Sequence, residues 1–297
     1  MLSVTTGWTK LRRSWRVIGL AIYIGLNVGL TLEGIRFSDQ TIDWQLWSAL
    51  PDAIARGNPY EAQGVAPFVW SPAAAWLMAG VSFVGYWPWV AAHVAIVLLL
   101  RDWRLIGLVL VSWGFWADAS QGNVFVFVFI AAALALQGSR WWGVVYLALL
   151  FLMPRPVQIP IAVWLLLIRP DLRLPALAVF GVHAAIVLAS GLTVEWVNAM
   201  LDYGQPPFNI GPSYFLGFWW LAIGIPVGVW LTIRGRVGWA GLVVSPYLLA
   251  QYLLFPIVDF ILKPRDAADR TSADGNREPS SPRLEAPCRE QAATEGQ

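Results

Sequence analysis

Four long stretches of this chain contain no Lys, Arg, Asp or Glu: Val17–Leu32, Ala62–Leu100, Tyr203–Ile233 and Val237–Val258. A helix needs about 20 mostly apolar residues to cross a bilayer. Only 13% of the 297 residues are charged and 58% are hydrophobic, whereas a soluble domain is charged at roughly a quarter of its positions. A single water-soluble core, a disordered chain and a disulfide scaffold are thereby excluded. Cys288 is the sole cysteine and can form no internal disulfide. The pattern predicts an all-α polytopic membrane protein over residues 1–262.

The remaining charge is concentrated at the end. Lys263–Gln297 carries six Lys/Arg and seven Asp/Glu and almost no large apolar side chain, which predicts a disordered, cytoplasmic tail at 263–297. At the other end Lys10, Arg12, Arg13 and Arg16 precede the first apolar stretch. No small-residue cleavage site follows, so the expectation is an uncleaved first span, not a removed signal peptide. The composition suggests a high-GC bacterial plasma membrane, with the chain as a multi-pass protein.

Eleven apolar segments can be drawn, at about 15–35, 69–84, 87–100, 105–117, 122–137, 141–153, 157–168, 174–191, 213–233, 237–246 and 247–262. Several are shorter than a span, and Trp87-Pro88, Pro154-Arg155-Pro156 and Ser245-Pro246 interrupt them. Such breaks read as half helices packed inside protein. All basic clusters can be cytoplasmic if 69–84 and 87–100 together make one crossing, or one re-entrant hairpin and one crossing. The loop 36–68, the turn 118–123, the break at 154–156 and the loop 192–212 then share the opposite face.

Ionisable groups at membrane depth are functional candidates. Asp43 opens a stretch whose apolar positions at 44, 46, 47, 50, 53 and 54 suit an amphipathic helix on the outer membrane surface. Its carboxylate is either a general base facing a lipid-bound substrate or a helix N-terminal charge favoured by the dipole. Arg155, between two prolines, suits a lipid phosphate or a snorkelling, Asp-paired role. Gln121 and Asn123 read as the start of an apolar helix with Ser120 as N-cap, bonding either sugar hydroxyls or neighbouring helices. His93 and His183 read as interhelical hydrogen-bonders without nearby carboxylates. Asp259 reads as a local ion pair with Lys263, Asp118 as a solvated loop charge and Glu33 as an interfacial one. No metal cluster, nucleophilic triad, phosphate loop or nucleic-acid surface is visible.

Three spacings together resemble a known pattern. Asp43-Trp44, then Gly57-Asn58-Pro59-Tyr60, then Phe68-Val69-Trp70-Ser71-Pro72 looks like the first outer loop of glycosyltransferase family 87, a polyprenol-dependent GT-C family. Ser120-Gln121-Gly122-Asn123 is similar to that family's Gly-Gln-x-Asn turn. Pro154-Arg155-Pro156-Val157 is similar to its Lys-Pro segment. Ser120, Arg155 and Ser71 depart from the family's glycine, lysine and first proline, and the chain is short for the family. The resemblance covers residues 15–175.

What the resemblance implies is a GT-C-like bundle of about 9–11 transmembrane or half-membrane helices with an outer-loop amphipathic helix. The implied activity is inverting transfer of a hexose, often mannose, from a polyprenyl-phosphate sugar to a lipid or glycan acceptor on the non-cytoplasmic face. Asp43 would match the catalytic aspartate, with Asp39 as second choice. Arg155 would stabilise the leaving phosphate, and Gln121, Asn123 and Tyr60 would contact donor or acceptor. No metal, cofactor or nucleic acid is implied. A transporter or flippase of a lipid-linked sugar and a catalytically inactive membrane partner are the competing readings.

Overall fold

A computed structural model describes residues 42–62, 64, 67–202, 213–217, 219–246 and 248–261. The first apolar segment, Glu33, Asp39 and the tail 263–297 lie outside the described residues. Every described element is helical, as an all-α chain requires. In order they are α1 (Ile42–Ala55), a 3-10 turn at Pro59–Glu61, α2 (Pro72–Ser82), α3 (Tyr86–Val97), α4 (Trp103–Leu110), α5 (Trp113–Gln121) and α6 (Phe125–Leu136). There follow α7 (Arg140–Leu152), a turn at Pro156–Gln158, α8 (Ile159–Ile168), α9 (Arg173–Ser190), α10 (Thr193–Asp202), α11 (Ser213–Leu216), α12 (Trp219–Ile233), α13 (Val237–Val244), a 3-10 run at Ala250–Ile257 and α14 (Val258–Ile261).

Local sequence sets many of these ends. The hydroxyls of Ser71, Ser112 and Ser139 accept from the amides of Ala74, Phe115 and Trp142 and so start α2, α5 and α7. The Ser112 cap divides the expected segment 105–117 into α4 and α5. Segment 247–262 is mostly 3-10 and becomes α-helical only at Val258.

Helix α6 reads Phe-Val-Phe-Val-Phe-Ile-Ala-Ala-Ala-Leu-Ala-Leu and is buried on nearly all sides, as a helix with no polar face must be. It is the axis of the larger core. Phe125 meets Tyr252 edge-on at 5.2 Å between ring centroids, and Phe129 meets Phe255 at 6.4 Å. A second core lies under α1, where Trp47, Leu50, Phe68, Trp70, Met78 and Met153 are buried together. Enclosing a side chain such as Leu50 contributes about 1.5–3 kcal/mol. Helix α13 lies directly against two other backbones: a Cβ on Gly238 would strike the Phe255 carbonyl, and one on Gly241 the Val157 carbonyl.

The helix over Pro170–Ser190 is long and apolar enough to cross a bilayer alone. Helix α2 and the helical run Tyr86–Leu100 pass the same test only as a pair, bent by 109° at the Phe83–Gly85 break; Trp87-Pro88, expected to be the interruption, instead lies in the first turn of α3, where a proline is tolerated. Shorter apolar helices include Phe125–Leu136, Arg140–Leu152, Pro156–Ile168 and Trp219–Ile233.

Candidate functional site

The site is assembled from one end of α1, the α5–α6 turn, the strap 68–71 and the segment after α7. Helix α1 starts at Ile42 and buries Leu46, Trp47, Leu50 and Ala53 on one face, which is the amphipathic pattern seen in the sequence. That face seats on Trp70 and Trp89, with Trp47 5.9 Å from each ring. Asp43, one turn before Leu46 and Trp47, is thereby carried to the edge of the buried layer.

The α5–α6 turn meets it there. Gly122 adopts φ 75° and closes α5. A Cβ on Gly122 would lie 2.9 Å from the Trp44 Cβ, so a glycine both permits the left-handed turn and lets α1 approach it. Asn123 is buried, and its Nδ2 donates to Asp43 Oδ2 at 2.7 Å. Its Oδ1 accepts from the Val124 amide at 2.7 Å, which leaves the side chain one orientation.

Asp118 corrects the expectation of a solvated loop charge. It is fully buried and accepts from the amides of Phe125 at 3.1 Å and Val126 at 2.7 Å. It therefore caps α6 from seven residues upstream, where the helix dipole favours a carboxylate. The Ser120 cap is corrected with it. Ser120 and Gln121 end α5, and Asn123 lies in the turn before α6. Gln121 is half-buried, and the structure does not bring it to Asp43.

Asp43 is half-buried, and its carboxyl is pushed up to about 7. Desolvation is the main cause, and the negative charge of Asp118 adds to it. The Arg155 guanidinium and the Asn123 hydrogen bond pull the other way without prevailing. The surface of Asp43 is thus partly open while its carboxyl sits among protein atoms. A carboxyl held there is poised for proton exchange near neutral pH.

Arg155 reaches the same region from the α7–α8 break. Its guanidinium lies over the Trp70 ring at 6.0 Å. The strap is fixed by the Ser71 amide donating to Leu152 O at 3.1 Å and by the Tyr60 hydroxyl donating to Trp70 O at 3.0 Å. The Tyr60 hydroxyl thus braces the strap beneath Arg155. Burial raises its pKa, and the Glu195 carboxylate adds to the rise.

Two further residues depart from the sequence reading, and Asp259 has partners that reading does not name, while Lys263, its expected ion-pair partner, lies outside the described residues. Glu195, on α10, was not singled out; its Oε2 is buried beside Trp196, whose Nε1 donates to Val69 O at 3.2 Å. His93 has a carboxylate close by, Asp118 Oδ2 at 3.6 Å. Asp259 accepts from the amides of Gly238 at 2.8 Å and Trp239 at 3.3 Å, so it caps α13 twenty residues upstream. His183 lines an apolar cavity of about 350 Å³ with Ala148, Leu152 and Ile186.

A second apolar cavity, of about 280 Å³, adjoins the polar cluster and is lined by Leu77, Met78, Trp89, Val124, Leu149 and Met153 among others. Val124 follows Asn123, and Met153 lies two residues before Arg155. Among the described residues no group of His, Cys, Asp or Glu could hold a metal ion. No family model, curated protein or solved structure matches this chain.

Proposed function

We propose that this chain is an integral membrane glycosyltransferase. It moves a hexose, mannose first, from a polyprenyl-phosphate sugar to a lipid or glycan acceptor on the non-cytoplasmic face of a bacterial plasma membrane. The observation that carries the reading is the placement of Asp43 in reach of the Arg155 charge, with Asn123 bonded to one carboxylate oxygen. Among the described residues no hydrogen bond reaches the second oxygen, Oδ1, which we assign to a substrate hydroxyl.

In the reaction Asp43 takes the acceptor's hydroxyl proton as the acceptor oxygen attacks the anomeric carbon. The bond from that carbon to the phosphate oxygen breaks on the opposite face, so configuration inverts. The electron pair leaves with the phosphate, and its charge develops toward the guanidinium of Arg155. Asn123 aims the carboxylate, which must lie about 2.6–3.2 Å from the hydroxyl. The apolar cavity beside Val124 and Met153 suits the hydrocarbon chain of a lipid-linked substrate.

The outer surface supports the membrane part. Leu174, Leu177, Val182 and Leu188 of α9 and Ile223, Val229 and Ile233 of α12 are exposed. Apolar side chains on the outside of a helical bundle match lipid and not water. The bent pair α2–α3 fits the broken crossing or re-entrant hairpin with which all basic clusters can share one face.

The test is transfer by purified protein in nanodiscs, given radiolabelled polyprenyl-phosphate mannose and a membrane lipid extract. Labelled product from wild type, lost in Asp43→Asn while donor binding is kept, supports the reading. Equal product from both moves the base elsewhere. No binding of any polyprenyl-phosphate sugar by wild type overturns it.

A further inference from the structure

The residue beneath the Asn123 turn has an unusual set of neighbours. His93 is fully buried, and both of its ring nitrogens face carbonyl oxygens. Nδ1 lies 2.8 Å from Trp89 O and Nε2 2.9 Å from Asn123 O. A carbonyl oxygen only accepts. A neutral imidazole donates from one nitrogen and presents a lone pair at the other, so a neutral ring would aim one lone pair at a carbonyl in a buried site, whichever tautomer it took.

The surroundings favour the alternative. Asp118 Oδ2 is 3.6 Å from Nε2, and the carboxylate also accepts from two amides at the start of α6. Trp89 and Phe127 pack against the imidazole in edge-on geometry, at 5.2 and 4.8 Å between ring centroids. Among the described residues no other charge faces the ring. Asp43 lies across the Asn123 side chain, the Tyr86 hydroxyl is bonded to Ser120 O, and Arg101, Asp102 and Arg104 are exposed beyond the other end of α3.

We propose that His93 carries protons on both ring nitrogens and, with Asp118 as its counter-ion, is the positioning residue that fixes the Asn123 turn. The Asn123 backbone oxygen faces His93 Nε2 at 2.9 Å, and Trp89 Nε1 donates to Gly122 O at 2.9 Å and, less closely, to Asn123 O at 3.3 Å. The side chain of the same residue then meets Asp43. The chain of contacts Asp118–His93–Asn123–Asp43 joins α5, α3, the turn and α1. The doubly protonated ring stands on this geometry alone; its use in aiming a catalytic base rests on the glycosyltransferase reading.

The test needs no transfer activity. The chain has two histidines, so protein labelled with 15N-histidine in nanodiscs gives two imidazole signal sets, assigned by loss of one in His183→Gln or in His93→Gln. At about pH 7 both His93 nitrogens are expected to bear a proton. A lone-pair nitrogen signal from His93 overturns the proposal. Asp118→Asn removes the counter-ion, and a lone-pair signal is then expected to emerge; a His93 that keeps both protons there overturns the pairing. The positioning role is read, in protein labelled with 15N-asparagine, from the Asn123 side-chain amide, assigned by its loss in Asn123→Ala. Its signal shifts in His93→Gln if His93 fixes the turn and stays put if it does not. Failure of sugar transfer would leave these signals unchanged, so the two readings fail separately.

Discussion

Replacing Asp43 by Asn is expected to stabilise the fold at high pH and to do much less at low pH. A carboxyl raised from 3.8 to about 7 ionises about 4 kcal/mol less favourably in the folded chain than in the unfolded one. The folded chain binds the proton more tightly, so stability contributed by this group is lost as pH rises from 3.8 toward about 7. The penalty is complete above that window and absent below it. Asn keeps an acceptor for Asn123 Nδ2 and removes the charge. Between about pH 5 and pH 8 the advantage of Asn over Asp grows by about 2 kcal/mol after allowing for solvent at the half-buried side chain. At about 2–4 °C per kcal/mol, Asp43→Asn raises the apparent melting temperature about 4–8 °C more at pH 8 than at pH 5. Thermal unfolding of both proteins in the same detergent, followed by tryptophan fluorescence, measures this. Equal shifts at the two pH values, or a loss of stability that deepens at pH 8, would refute the reasoning that burial and Asp118 hold this carboxyl up.

Gly122→Ala combines a left-handed φ with a methyl 2.9 Å from the Trp44 Cβ; it is expected to cost at least about 1–2 kcal/mol, measured as a lowered melting temperature. Gly238→Ala drives a methyl into the Phe255 carbonyl and is expected to cost about 1–3 kcal/mol or more. Gly107→Ala meets nothing within 4 Å and is expected to be stabilising by about 0.4–1 kcal/mol, so the pair separates close packing from helix propensity in one thermal assay. Tyr60→Phe strips the hydroxyl from Trp70 O and is expected to cost about 1 kcal/mol, read from the same melts.

The sequence made α1 legible because its apolar positions at 46, 47, 50 and 53 follow a helical period, and those residues are buried. The pairing of segments 69–84 and 87–100 into one broken unit was legible from the placement of the basic clusters, whereas the Ser71, Ser112 and Ser139 caps were not singled out. What was missed depends on partners remote in the chain. Asp118 caps a helix that starts seven residues later across a turn. Asp259 caps one that starts about twenty residues earlier. The His93–Asp118 approach joins α3 to α5. No periodicity reports such contacts. One signal was available: Gly122 is a C′ glycine, which ends a helix more readily than it sits inside one. Given that weight, Ser120 could not have been an N-cap, and Asp118 would have been free to cap α6.

The most direct test of Asp43 as the base is the pH dependence of kcat/KM for sugar transfer from polyprenyl-phosphate mannose by the wild-type protein. A base must be ionised to accept the acceptor's proton. With its carboxyl at about 7, the rate is predicted to rise about tenfold per pH unit below that value and to level off above it. A profile flat from about pH 5.5 to 8.5, or one that climbs as the pH falls, would contradict the assignment of Asp43 as the base.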